Sequence, residues 1–210
     1  MSTVSHQSSP EPNPQCWASQ GLTLNYFEWG SPEKPLLILI HGNGDHARSW
    51  DAIAKVLSRN WYVITPDLRG HGDSQWSPDG AYFTSYFVMD IVDLIDSLAV
   101  KQVSIIGHSF GGVIGLRYAA MYPDSVKQLV VIDGYGPSEE VKKSWSETGA
   151  TARTREWIKK RRNLRSQSQR YLNSIDEAAD RLTKNNPRLT EKLAQRLAQH
   201  GTRRAEGGLV

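Results

Sequence analysis

Ile105-Ile106-Gly107-His108-Ser109-Phe110-Gly111-Gly112 sets a serine between glycines two residues before it and two residues after it. An apolar run at 103–106 leads in, and a stretch of helical pattern at 113–121 leads out. A serine so placed suits a sharp strand-to-helix turn. The backbone is strained there, no neighbouring Cβ blocks access, and the hydroxyl stands exposed. A helix beginning at the same point turns its free N–H groups and positive dipole end toward the reacting centre. These are the parts that nucleophilic acyl chemistry needs: an accessible Oγ, and donors for the charge that develops when it attacks. The competing reading is a Gly-rich turn with an inert serine, and the apolar strand before and helix after argue against it.

The elements that must hold this turn can be read from periodicity. Residues 22–29 alternate and are rich in aromatics, as a half-buried or edge strand should be. Residues 36–40, Leu-Leu-Ile-Leu-Ile, are a continuous apolar run, the pattern of a parallel strand buried on both faces. Further strands are expected at 61–65, 103–106 and 129–132. Ile53, Ala54, Val56 and Leu57 have helical spacing, as do Phe87, Ile91, Leu94, Ile95 and Leu98. Strands alternating with helices predict a doubly wound, mostly parallel α/β sheet, with ligands outside the carboxyl ends of its strands. His41, Asp67, Ser109 and Asp133 each lie just past such an end.

After Pro137 the character changes. Residues 1–138 carry 8 Lys+Arg against 13 Asp+Glu, a balance of −5, whereas 139–210 carry 17 against 9, a balance of +8. Such a split marks two structural units. No convincing strand is read in 139–210. Ser174-Ile175-Asp176-Glu177 is a capping box, and Asn186-Pro187 offers an N-cap followed by proline for a further helix. The basic run Lys159-Lys160-Arg161-Arg162, with Arg153, Arg155 and Arg165, is most simply a solvated helix face. The organisation predicted is a disordered tail at 1–15, an α/β core at 16–137, and a helical cap at 138–210 laid over the active edge of the sheet.

Hydrophobic residues make up 39% of the chain and charged ones 22%, as in a globular domain. One cysteine, Cys16, excludes an intrachain disulfide framework and fits a reducing compartment. The first fifteen residues lack the basic and apolar segments of a signal peptide, and no apolar run is long enough for a membrane span. A cytoplasmic location is therefore expected, with no membrane partner, no nucleic-acid partner, no cofactor and no metal.

Three ordered motifs, HGNG at 41–44, DLRGHGDS at 67–74 and GHSFGG at 107–112, together resemble the α/β-hydrolase superfamily. The resemblance is close over about 20–137 and looser beyond. It implies that Ser109 is the nucleophile of a serine hydrolase, that the backbone N–H groups of Asn43 and Phe110 form the oxyanion hole, and that the substrate is a small ester or related acyl compound. Branches with an aspartate nucleophile are disfavoured by the serine itself. Asp133, following the strand after the nucleophile helix, is where some members place the catalytic acid; the alternative is a polar strand-end turn. His41, His46, His108 and Tyr135 are pocket candidates, with Trp145 and Trp157 as cap-side liners. For His41, as for His71, a loop-bracing role is the stronger reading.

The resemblance also implies the order serine, acid, histidine, with the histidine after a final strand. No strand is read beyond 132, so the 210 residues are expected to be a fragment that lacks the imidazole base and is inactive or poorly soluble alone. The strand near 129–133 would then be an exposed sheet edge. The alternative function is a non-catalytic, ligand-binding relative that keeps the pocket without the chemistry.

Overall fold

The computed structural model describes residues 11–136, 138–166 and 171–209. Six strands form one sheet: β1 (Asn13–Ser19), β2 (Leu22–Trp29), β3 (Leu36–Ile40), β4 (Tyr62–Pro66), β5 (Val103–His108) and β6 (Val126–Ile132), in the order β1-β2-β4-β3-β5-β6. β4, β3, β5 and β6 run parallel; β2 joins β4 antiparallel, and β1 pairs antiparallel with β2. The doubly wound, mostly parallel α/β sheet expected from the sequence is present.

β3 shows why the run at 36–40 is apolar throughout. Leu36, Ile38 and Ile40 enter one core cluster, and Leu37 and Leu39 enter another on the opposite face. Fully burying side chains of this kind stabilises by about 1.5–3 kcal/mol each. The first cluster takes Phe87, Ile91 and Leu94 from helix α2 (Thr84–Ser97) and Ile114 and Tyr118 from helix α3 (Phe110–Met121). The second takes Trp50, closing a 3-10 turn (Ala47–Trp50), and Ala54 from helix α1 (Asp51–Leu57). Helices thus cover both faces. Of the four residues with helical spacing, Ala54 and Leu57 pack on this cluster, while Ile53 and Val56 are exposed.

The tail expected at 1–15 needs correction. Residues 13–15 belong to β1, registered on β2 from Asn13↔Glu28 to Ser19↔Leu22. Residues 1–10 lie outside the described residues. The β1–β2 turn has positive φ at both Gln20 (48°) and Gly21 (78°), the backbone that suits a two-residue hairpin. Strand 22–29 is accordingly second in the sheet, with β1 outside it. At the other end, among the described residues β6 pairs with β5 alone, and Val130 and Ile132 are exposed.

The chain divides into two compact units, one running to Tyr135 with Gln199–Gly201, the other comprising Gly136–Ala198 with Thr202–Val210. The second contains helices α4 (Glu139–Thr148), α5 (Ala150–Ser166), α6 (Ile175–Asn185) and most of α7 (Glu191–Gly201). The Ser174 hydroxyl accepts the Glu177 N–H at 3.1 Å, as a capping box requires, while the Glu177 carboxylate accepts from the backbone and side chain of Asn173. Asn186-Pro187 does not start a helix: Asn186 ends α6, and Thr190 caps α7 by accepting the Leu193 N–H. Ala178, Ala179, Ala194 and Ala198 make a small-residue core there. Two-residue strands, β7 (Arg204–Ala205) and β8 (Gly208–Leu209), form a hairpin where none was expected.

Candidate active site

Ser109 sits between β5 and α3 with φ 50° and ψ −115°, a conformation that costs a non-glycine residue about 1–3 kcal/mol. What holds it is visible in the glycines around it. A Cβ at Gly107 would lie 2.4 Å from the Gly111 carbonyl oxygen, and one at Gly111 would lie 2.3 Å from the Ile40 oxygen and 2.6 Å from that of His41. The chain therefore doubles back tightly over itself and over the end of β3. The Ser109 N–H donates to the Ile132 carbonyl at 2.8 Å, and the Ser109 carbonyl accepts from Gly112 and Val113. Among the described residues the N–H of Phe110, first in α3, donates to no backbone or side-chain acceptor. Its ring packs edge-on against Phe87 at 4.9 Å, which fixes the start of the helix.

The 41–44 loop leaves β3 beside this turn. Ile40 pairs with Gly107, and a Cβ on Gly42 would come within 3.3 Å of the Ser109 Cβ and 3.1 Å of His108 Nδ1. Asp45 N–H bonds Gly42 O, and Gly44 N–H donates to His71 Nε2, while Asn43 N–H, among the described residues, has no such partner. Two uncommitted backbone donors thus belong to the two segments that meet at Ser109.

Both bracing histidines use both ring nitrogens. His41, fully buried, accepts the Leu68 N–H at Nε2 (3.0 Å), which leaves the proton on Nδ1 to donate to Gly42 O at 2.7 Å. His71 receives the Gly44 N–H at Nε2 and meets Arg69 O through Nδ1. His41 is therefore a strut between loops; the pocket-lining reading is corrected by its burial and its two committed nitrogens. Burial holds its imidazole down at about 3, from 6.5.

That depression has a sign. Between pH 6.5 and 3 the unfolded chain binds a proton at His41 that the folded chain refuses, so this contribution to stability is complete above 6.5 and is lost as pH falls. The full loss is on the order of 5 kcal/mol. Asp67 works oppositely: burial pushes its carboxyl up, against the N–H groups of Ala47 and Asp73 and the Asn25 amide, so it favours the folded state more at low pH. Urea midpoints measured from neutral pH downward should fall steeply in the native chain and more gently in His41→Asn; parallel curves would contradict the assignment.

Asp67 ties the 67–74 loop to its neighbours. Oδ1 accepts the Ala47 N–H at 2.6 Å, Oδ2 accepts Asp73 N–H and Asn25 Nδ2, and its carbonyl accepts the Ser74 hydroxyl. A residue pair that sequence reasoning missed lies behind it. Arg69 Nε and Nη2 each donate to Asp90 at 2.6 Å, with both side chains 1% exposed, and Nη1 donates to Ala81 O. Asp90 also accepts the Ser19 hydroxyl, so one buried carboxylate joins the β1–β2 turn, α2 and this loop. The only sequence signal was an arginine among turn residues.

The remaining candidates are placed as follows. His108 is half-buried over Gly42, and His46 is buried at the start of the 3-10 turn, its N–H donating to Asp45. Asp133 follows β6 with φ 51° and an exposed side chain, and the next residue, Gly134, lies against the Ser109 carbonyl. Tyr135 is 81% exposed, which corrects its assignment as a liner; the tightly packed Gly134 carries the chain outward before it. Trp145 and Trp157 are likewise exposed. Among the described residues no His, Cys, Asp and Glu gather to hold a metal ion, and no helix is long and apolar enough to cross a membrane.

The family described as the alpha/beta hydrolase fold matches residues 35–202. The chain belongs to the α/β hydrolase fold family. It is similar to serine hydrolase-like protein 2 of Homo sapiens, 32% identical over 183 residues that cover 87% of this chain and 58% of that protein. A serine hydrolase-like protein of Danio rerio is 28% identical, covering 87% and 56% respectively. The chain thus spans a little over half the length of these relatives. Among solved structures, E-2-(acetamidomethylene)succinate hydrolase superposes with a TM-score of 0.74 at 26% identity, over 95% of this chain and 68% of that one.

Proposed function

We propose that the chain carries the nucleophile half of a serine hydrolase acting on small carboxylic esters or related acyl compounds. Ser109 Oγ would attack the acyl carbonyl, and the resulting oxyanion would be received by the N–H groups of Asn43 and Phe110. The single observation carrying this proposal is the strained Ser109 turn, held at positive φ between close-packed glycines and flanked by two uncommitted donors. Such strain persists only where the surroundings over-determine it, and it clusters at reactive positions. A preorganised donor in this role is typically worth ~10²-fold or more in rate. The names of the curated relatives support a serine nucleophile.

The base is proposed to be none of the histidines in this sequence, and Asp133 remains the candidate acid. Both nitrogens of His41 and of His71 are bonded to backbone, so neither can take the Ser109 proton without breaking a loop. A hydroxyl without an imidazole partner is a weak nucleophile near neutral pH. That same observation favours the second reading, a non-catalytic relative that binds ligand. A fluorophosphonate probe separates the two. A hydrolase nucleophile should form one covalent adduct, abolished by Ser109→Ala; absence of any adduct, even at high probe concentration, would support the binding protein.

A further inference from the structure

The basic run at 159–162 was expected to be a solvated face and nothing more. In the structure it belongs to α5, whose 17 residues contain seven Arg or Lys and one Glu. Among the described residues, none of the cations at 153, 155 and 159–162 is paired with a carboxylate. Counted from its residues, the helix carries a net charge of +6.

Large apolar side chains stand between these cations. On α4, Val141 and Trp145 lie one helical turn apart and are exposed, and on α5 Trp157 is 62% exposed with Ile158 beside it. The guanidinium of Arg153 lies 5.7 Å from the Trp145 ring centroid, and that of Arg161 lies 5.9 Å from the Trp157 centroid. At 3.6 residues per turn Arg153, Trp157, Lys160 and Arg161 share one face of α5, while Arg155, Ile158, Lys159, Arg162 and Asn163 line an open groove of about 390 Å³ on the opposite face.

We infer that α4 and α5 form a docking surface for an anionic lipid membrane. An ordinary solvated helix keeps its charges and has no reason to expose two tryptophans among them. Aromatic rings with cations alongside are what a headgroup layer accepts: the rings enter the acyl boundary and the guanidinium and ammonium groups stay with the phosphates. Charge complementarity supplies attraction of about fivefold in affinity for each cation near the surface. A nucleic acid would call for a recognition motif, and none accompanies these cations. The absence of an apolar span does not oppose this, since a helix can lie on a membrane without crossing it.

The test uses the whole 210-residue chain with phosphatidylcholine vesicles, with and without a third of phosphatidylserine. The chain should co-sediment only with the phosphatidylserine vesicles, be released by high salt, and show a blue-shifted tryptophan emission that disappears when Trp145 and Trp157 are both replaced by Phe. Lys160→Glu with Arg161→Glu should weaken binding by roughly a hundredfold or more. Arg188→Glu with Lys192→Glu, outside α4 and α5, should change it no more than a few-fold. Equal binding to both vesicles, binding to neither, an unaffected Lys160/Arg161 double variant, or displacement from vesicles by an equal charge of duplex RNA would each overturn the inference. Circular dichroism on every variant separates loss of docking from loss of fold.

Discussion

Gly111→Ala should leave no stably folded protein. The added Cβ would sit 2.3 Å from one backbone oxygen and 2.6 Å from another, and neither belongs to a side chain that can swing away. To relieve the clash, the start of α3 must move off the end of β3, which also pulls Ser109 out of its turn. A loss above about 4 kcal/mol is expected, in the range reserved for broken special geometry and overpacked cores. Gly115→Ala, on the same helix, is the informative comparison. Its Cβ would meet Leu129 Cδ1 at 3.1 Å and Ile105 Cγ2 at 3.3 Å, side-chain atoms that need give way by only a few tenths of an ångström, and alanine restores helix propensity. Thermal or urea unfolding should find Gly115→Ala within about 1 kcal/mol of the native chain. Two variants of equal stability would mean that the turn is less tightly enclosed than the distances say.

Asp90→Ala should cost about 3–5 kcal/mol, because it strands the Arg69 guanidinium, 1% exposed, without its carboxylate. The loss would come from an uncompensated buried charge more than from the strength of the pair itself. Removing both charges is therefore the sharper experiment. Asp90→Ala with Arg69→Met should recover a large part of the stability that the single change loses, since methionine fills the space and needs no counter-ion. Equilibrium urea unfolding of the two single variants and the double variant closes the cycle. If the double variant equals the sum of the singles, the ion pair is not the coupled unit described, and the Ser19 and Ala81 contacts of the two residues carry the effect separately.

These two cases show what could and could not be read from the sequence. The sheet was legible because β3 must be apolar on both faces, and only a parallel interior strand demands that. The serine turn was legible because its glycines are forced by close approach, and close approach leaves a mark on residue type. β1 was missed because its turn uses Gln20 at positive φ, where asparagine or aspartate would have signalled a hairpin. The start of α7 was placed too early because Asn186-Pro187 has the composition of an N-cap, while Thr190 has the geometry. The Arg69–Asp90 pair was invisible for a different reason. Its partners are 21 residues apart, and no local pattern tells a buried charge from a solvated one. His41 stands in a turn motif that suits a brace, and its two hydrogen bonds commit both ring nitrogens.

On the proposed function, the fold, and not the intrinsic chemistry of a serine, makes Ser109 the reactive position. The most direct measurement is intact-mass and peptide mapping after exposure to a fluorophosphonate, in native buffer and in unfolding urea. With no histidine here placed as its base, labelling should be slow and need excess probe, with a single adduct on Ser109 that forms in native buffer and is absent in urea. No adduct on the native chain, an adduct on another serine, or labelling that persists undiminished in urea would contradict it.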